Sequence, residues 1–243
     1  MEVQVSRGMI VGVPFPQLWR SLPVHDWNTT SRFLLVRHGE STSNKEGLLC
    51  GGGTDTGLSE TGKRQACDVA ACLKAEMVDL EALGSSHLIR ALQTRDIIGQ
   101  HLPNLGDRFV EEDFKEMMYG YMENKKIGGD VLREMKNISG QWKAGSTDVQ
   151  VGNGESPENV IARFLPAAKS VCQKYSSFLL VSHSHAIKSF LSHVGDLGLS
   201  NLHTLPQKNG AVNVVDYNRH ADKFIVHGID LAIPEDSSTQ AML

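Results

Sequence analysis

The chain has 243 residues, enough for one large α/β domain or two small ones with a sizeable buried core. Hydrophobic residues make up 40% and charged residues 21%, an ordinary globular balance. A net charge of −4 speaks against nucleic acid, whose partners carry a basic excess, and no run reaches the roughly 18 apolar residues of a membrane-spanning helix.

Residues 1–30 hold Pro14, Pro16 and Pro23 and no convincing signal-peptide core. They read as an ill-ordered extension, with organelle targeting left open. Phe33–Val36 is a short buried strand that ends on Arg37-His38-Gly39-Glu40. A glycine-rich loop, Cys50 to Asp55, follows. Ser59 caps a helix over about Gly62 to Met77, in which Cys67 and Cys72 sit as small core residues. Leu80–Ser85 is a strand, and a helix from Ser86 or His87 runs toward His101 and stops at Pro103, Asn104 and Gly106. Phe109–Gly120 is mixed, and Lys125–Val151 is polar and shows no clear period. Ser156-Pro157-Glu158 starts a helix that runs to about Tyr175. Phe178–Val181 is a second buried strand, followed by Ser182-His183-Ser184-His185 and a helix to about His193. Ala211–Tyr217 and Phe224–Ile229 read as closing strands, and Pro234–Leu243 as a disordered tail. The alternation of strand and helix argues for a layered α/β fold. The four cysteines lack zinc spacing, so they are expected to be reduced in the cytoplasm.

Two segments share one design. Phe33-Leu34-Leu35-Val36-Arg37-His38 and Phe178-Leu179-Leu180-Val181-Ser182-His183 are both apolar strands that end in a histidine. In a parallel sheet both histidines emerge at the carboxyl edge, where such sheets bind ligands. An arginine beside one of them points to an anion, and the histidine can serve as a nucleophile.

Several further motifs occur in order: Arg37-His38-Gly39-Glu40-Ser41 with Asn44, Asp55-Thr56-Gly57-Leu58-Ser59-Glu60-Thr61-Gly62, Ser85-Ser86-His87-Leu88-Ile89-Arg90-Ala91, Glu116 with Tyr119-Gly120, Gly154-Glu155-Ser156, and Val181-Ser182-His183. This ordered set resembles the histidine phosphatase superfamily, the cofactor-dependent phosphoglycerate mutases and their phosphatase relatives. The resemblance implies a phosphoglycerate mutase-like fold, a three-layer α/β/α sandwich with a mostly parallel central sheet, over residues 31–231. Residues 1–30 would precede it, and 232–243 would be a flexible tail.

The resemblance also implies roles. His38 would accept the phosphoryl group, with Arg37, Arg90 and His183 around it, and Glu116 would donate the proton. Asn44, Cys50, Gly51, Tyr119 and Ser184 would contact substrate. Ser184 stands where the family has glycine, and its helix amides are expected to stay free for an anion. Asn124 replaces another common glycine. No metal or cofactor is implied. The expected partner is a small phosphorylated metabolite, with neither nucleic acid nor membrane, and a homodimer is left open. The segment between Glu116 and His183 is shorter than in mutases, which favours a phosphomonoesterase over a mutase. A protein phosphatase or scaffold on the same fold is a further alternative.

Overall fold

The computed structural model describes residues 9–102 and 106–235. Its chain order is β1 (Ile10–Val11), α1 (Phe15–Ser21), β2 (Thr30–Arg37), α2 (Thr42–Lys45), α3 (Glu60–Ala75), β3 (Ala82–Ser85), α4 (Ile89–His101) and β4 (Asp107–Val110). Then come α5 (Gly129–Lys143), α6 (Pro157–Lys174), β5 (Ser177–Ser182), α7 (Ser184–Val194), β6 (Val212–Asn218) and β7 (Lys223–Leu231). The strands form one sheet in the order β1-β7-β6-β2-β5-β3-β4. Only β6 runs against its neighbours, so the sheet is mostly parallel, as expected.

Alternation along the central strands explains the three layers. Phe33, Leu35, Phe178 and Leu180 pack into one apolar cluster with α6 and α7. Leu34, Val36, Leu179 and Val181 face the other way, onto α1, α3 and α4. Both faces are covered, which is why these strands read as unbroken apolar runs. The chain leaves β2 for α3 on one face and leaves β5 for α7 on the other. Such a divergence between adjacent parallel strands opens a crevice at their carboxyl ends.

Three expectations need correction. Within 1–30, the described residues from Met9 onward are ordered into the fold. β1 pairs with β7, and α1 buries Phe15 and Leu18. Pro14 and Pro16, counted within an ill-ordered extension, sit at the start of α1, where proline's fixed φ suits the first turn. At the other end, Ala232 belongs with the sheet: its amide donates to the Val13 carbonyl at 2.9 Å. The rest of the expected tail from 236 on, and Pro103 and Asn104, lie outside the described residues. Finally, the unassigned Lys125–Val151 stretch contains α5, anchored by buried Ile138 and Trp142 one turn apart.

Candidate active site

Arg37 of β2 pairs with Ser182 of β5, so the next residue on each strand is a histidine. The His38 amide donates to the Ser182 carbonyl at 3.0 Å, and the two imidazole centroids lie 5.0 Å apart. Gly39 turns the chain sharply after His38. A methyl group there would sit 2.3 Å from the Gly62 carbonyl oxygen, so glycine is required for the loop to pack against the start of α3.

The hydrogen bonds fix both tautomers. His38 Nδ1 lies 2.7 Å from the Gly39 carbonyl, which can only accept, so Nδ1 carries the proton. Its Nε2 is left with a free lone pair. His183 has the opposite arrangement. Arg90 Nε donates to its Nδ1 at 3.2 Å, so Nε2–H donates to Ser86 Oγ at 2.7 Å. Burial, then Arg90 and Arg37, push the His38 imidazole well below the usual histidine range. Burial, followed by Arg90, does the same to His183. Both rings are therefore neutral at pH 7.

Arg90 is 1% exposed. Besides its bond to His183, it donates through Nη1 to the Thr54 carbonyl at 2.7 Å and through Nη2 to the Gly51 carbonyl at 3.1 Å. The glycine-rich loop is thus a scaffold for the guanidinium. Gly51, expected to contact substrate, holds Arg90 through its carbonyl. Glu123 pins the same loop, accepting from the Gly53 amide and the Thr54 hydroxyl. Cys50 lies on this loop, its thiol directed to the Thr54 carbonyl at 3.5 Å. Arg37 donates through Nη1 to the Gln207 carbonyl at 2.6 Å, while its buried Nε has no partner among the described residues. Asn44 closes the capping box of α2 through Oδ1 and takes a second bond there from Asn209. That polarity leaves its NH2 as the donor end.

Glu116 is 4% exposed and joins the site from the segment after β4. Its Oε1 accepts from the Met117 and Ala186 amides, each at 2.9 Å, and its Oε2 accepts from the His185 amide at 3.1 Å. These last two amides open α7. The Glu116 side chain occupies the His185 and Ala186 amides at that helix end, so those two are not free for a phosphate. Tyr119, expected to contact substrate, is 2% exposed, and its hydroxyl is paired with His185 Nδ1 at 2.7 Å. Asn124 adopts φ +62°, the left-handed conformation that explains the glycine it was expected to replace.

Sequence reasoning gave no role to Ser86, Thr94, Gln207 or Asn209. Thr94 Oγ1 holds the Gly39 amide at 3.1 Å, and Asn209 Nδ2 holds the His38 carbonyl at 3.0 Å. Asn209 comes from the loop before β6, far along the chain, and no local pattern marks it. No group of three or more metal-binding side chains occurs among the described residues.

A sequence model of the histidine phosphatase superfamily (branch 1) matches residues 33–230. The chain is 32% identical over 190 residues to fructose-2,6-bisphosphatase TIGAR B of Danio rerio, covering 75% of this chain and 71% of that protein. It is 33% identical over 165 residues to the uncharacterized phosphatase PhoE of Bacillus subtilis, covering 66% and 75%. Among solved structures, Bacillus stearothermophilus YhfR superposes with a TM-score of 0.68 at 26% identity, covering 86% of this chain and 98% of that one.

Proposed function

That the chain belongs to the histidine phosphatase superfamily is the premise from which we propose that it is a phosphomonoesterase acting on small phosphorylated metabolites. His38 is the nucleophile. Its Nε2 lone pair attacks phosphorus, the phosphorus–oxygen ester bond breaks, and the leaving oxygen takes a proton from the Glu116 carboxyl group. Water then attacks the phosphohistidine and returns a proton to Glu116, and the phosphorus–nitrogen bond breaks to release inorganic phosphate. Splitting the reaction in two lowers each barrier.

One observation carries the reading: a neutral imidazole, with its Nε2 lone pair free, stands beside the guanidinium groups of Arg37 and Arg90 at the sheet crevice. Arg37 and Arg90 offset the charge that builds on the equatorial phosphoryl oxygens, which is most of what phosphoryl transfer asks of a protein. His183 adds a third wall, held by Arg90 and Ser86. Glu116 Oε2, with one amide bond against two on Oε1, is the oxygen with room for the proton.

A labelled phosphorylated metabolite, quenched in alkali, tests this directly. Acid-labile phosphate should appear on His38, and His38→Ala should lose both the phosphoenzyme and turnover. A phosphoenzyme that survives in His38→Ala overturns the mechanism. Interconversion of phosphoglycerates without phosphate release replaces the hydrolase with a mutase.

A further inference from the structure

Glu116 lies on a stretch that no helix or strand supports: residues 115–119 have no regular structure. The backbone polar groups there must find other partners. One side chain answers for three of the carbonyls. Arg163 of α6 donates through Nη1 to the Asp113 carbonyl at 2.6 Å and the Lys115 carbonyl at 3.0 Å, and through Nη2 to the Glu116 carbonyl at 3.2 Å. Its Nε and Nη2 also grip the two carboxylate oxygens of Glu155, at 2.8 and 2.9 Å. A guanidinium has five N–H bonds, and all five are used here. Glu155 in turn accepts from the Met118 amide at 2.9 Å and donates its own amide to the Met118 carbonyl at 2.8 Å. Burial opposes the charge on Glu155, but the bonds to Arg163 outweigh it and hold the carboxyl below its usual range. The Arg163 and Glu155 side chains are only 12% and 15% exposed.

These contacts give a use to Gly154-Glu155-Ser156, a motif that the chemistry at His38 leaves without a part. Gly154 lets the two segments meet: a methyl group there would stand 2.0 Å from the Met118 carbonyl oxygen. Glu155 locks the guanidinium. Ser156 caps α6, and Arg163 follows two helical turns on. Glu116 is thus held from both ends, its backbone by α6 and its carboxylate by the amides that open α7. Arg163 has no N–H left for a substrate. We propose that Arg163, locked by Glu155, is a positioning residue for the proton donor: it sets the Glu116 carboxyl group against the leaving oxygen. This rests on the phosphatase reading, with Glu116 as its acid.

The leaving group provides the test. kcat/KM covers the reaction up to departure of the leaving oxygen, and glycerol 3-phosphate needs a proton there far more than p-nitrophenyl phosphate does. Arg163→Gln/Glu155→Gln removes both charges, so neither is left buried alone. Its kcat/KM on glycerol 3-phosphate should fall by about 10–10²-fold, the cost of a misplaced group, against about threefold or less on p-nitrophenyl phosphate. Both substrates meet the same preparation, so any loss of folded enzyme cancels in the ratio. Arg163→Lys, with three donors for five acceptors, should fall between the double variant and the wild type. Equal losses on the two esters, or no loss on either, overturn the proposal. Amide hydrogen exchange gives a readout apart from catalysis. The His185 and Ala186 amides, held by the Glu116 carboxylate and not by Arg163, should exchange about tenfold faster or more in the double variant while those of α4 stay unchanged. If the wild type cleaves neither ester but this local exchange appears, the phosphatase reading falls and the clamp on Glu116 stands. If the esters are cleaved and neither ratio nor exchange moves, the clamp alone falls.

Discussion

Arg90 on α4 and Lys188 on α7 are two cations held in opposite ways. Arg90 spends its guanidinium on the His183 ring, the Thr54 carbonyl and the Gly51 carbonyl. Lys188 has no such partner among the described residues. The first is a preorganised charge, fixed before any ligand arrives, which is what lowers a barrier. The second has its pKa lowered by burial and by Arg37, and only the charges of Glu116 and Asp230 favour its ammonium. The difference lies in how each charge is held: Arg90 is clamped by three acceptors at the crevice, while the lysine on α7 is left unclamped.

The sharpest way to break this contrast is at the rigid end. Glu116→Gln cannot supply a proton, and kcat should fall by about 10²–10⁴-fold on alkyl phosphates. p-Nitrophenyl phosphate, whose leaving group needs little protonation, should lose far less. An equal loss on both substrates would assign Glu116 a purely structural part. Next comes Arg90→Lys. An ammonium keeps the charge but cannot hold three acceptors in one plane. If preorganisation matters more than charge, kcat/KM drops by about 10²–10³-fold; a loss below about tenfold would make Arg90 no different in kind from Lys188.

The smallest effect is on stability. His38, His183 and His185 are all lowered in the folded protein, His185 to about 4, each chiefly by burial. Unfolding frees them to titrate near 6.5. The unfolded chain therefore binds more protons below that pH, and stability falls as pH drops from 6.5 toward 5, by up to about 1.4 kcal/mol per pH unit for each histidine. His185→Asn should flatten the slope of denaturant stability against pH by about one proton. An unchanged slope would mean that His185 is not held neutral by its burial against Tyr119.

The rigid half was legible because its signals are local. Four apolar residues and a histidine mark each of β2 and β5, and parallel register then forces the two histidines together. Ser156-Pro157 announced α6 by capping chemistry alone, and Ser156 does accept from the Asn159 amide. The α5 and α7 side was not legible. α5 begins at two glycines and carries Ser139-Gly140 in its interior, so its propensity is poor and its packing decides. The Glu116 carboxylate at the start of α7 is a contact between distant segments, and nothing near either end predicts it. In α1, Pro14 and Pro16 misled because proline breaks a helix in the middle and suits one at the start.

The strand order has a consequence for synthesis. β2 leaves the ribosome early, yet both its neighbours, β5 and β6, belong to the later half of the chain. β5 must slide between β2 and β3 before His38 meets His183, so no nascent chain shorter than β5 can possess a working pocket. Among the described strands β1 waits longest, since its partner, β7, is translated last. A segment made before β2 is among the last able to dock, and until then Phe15 and Leu18 stay exposed to whatever the emerging chain encounters.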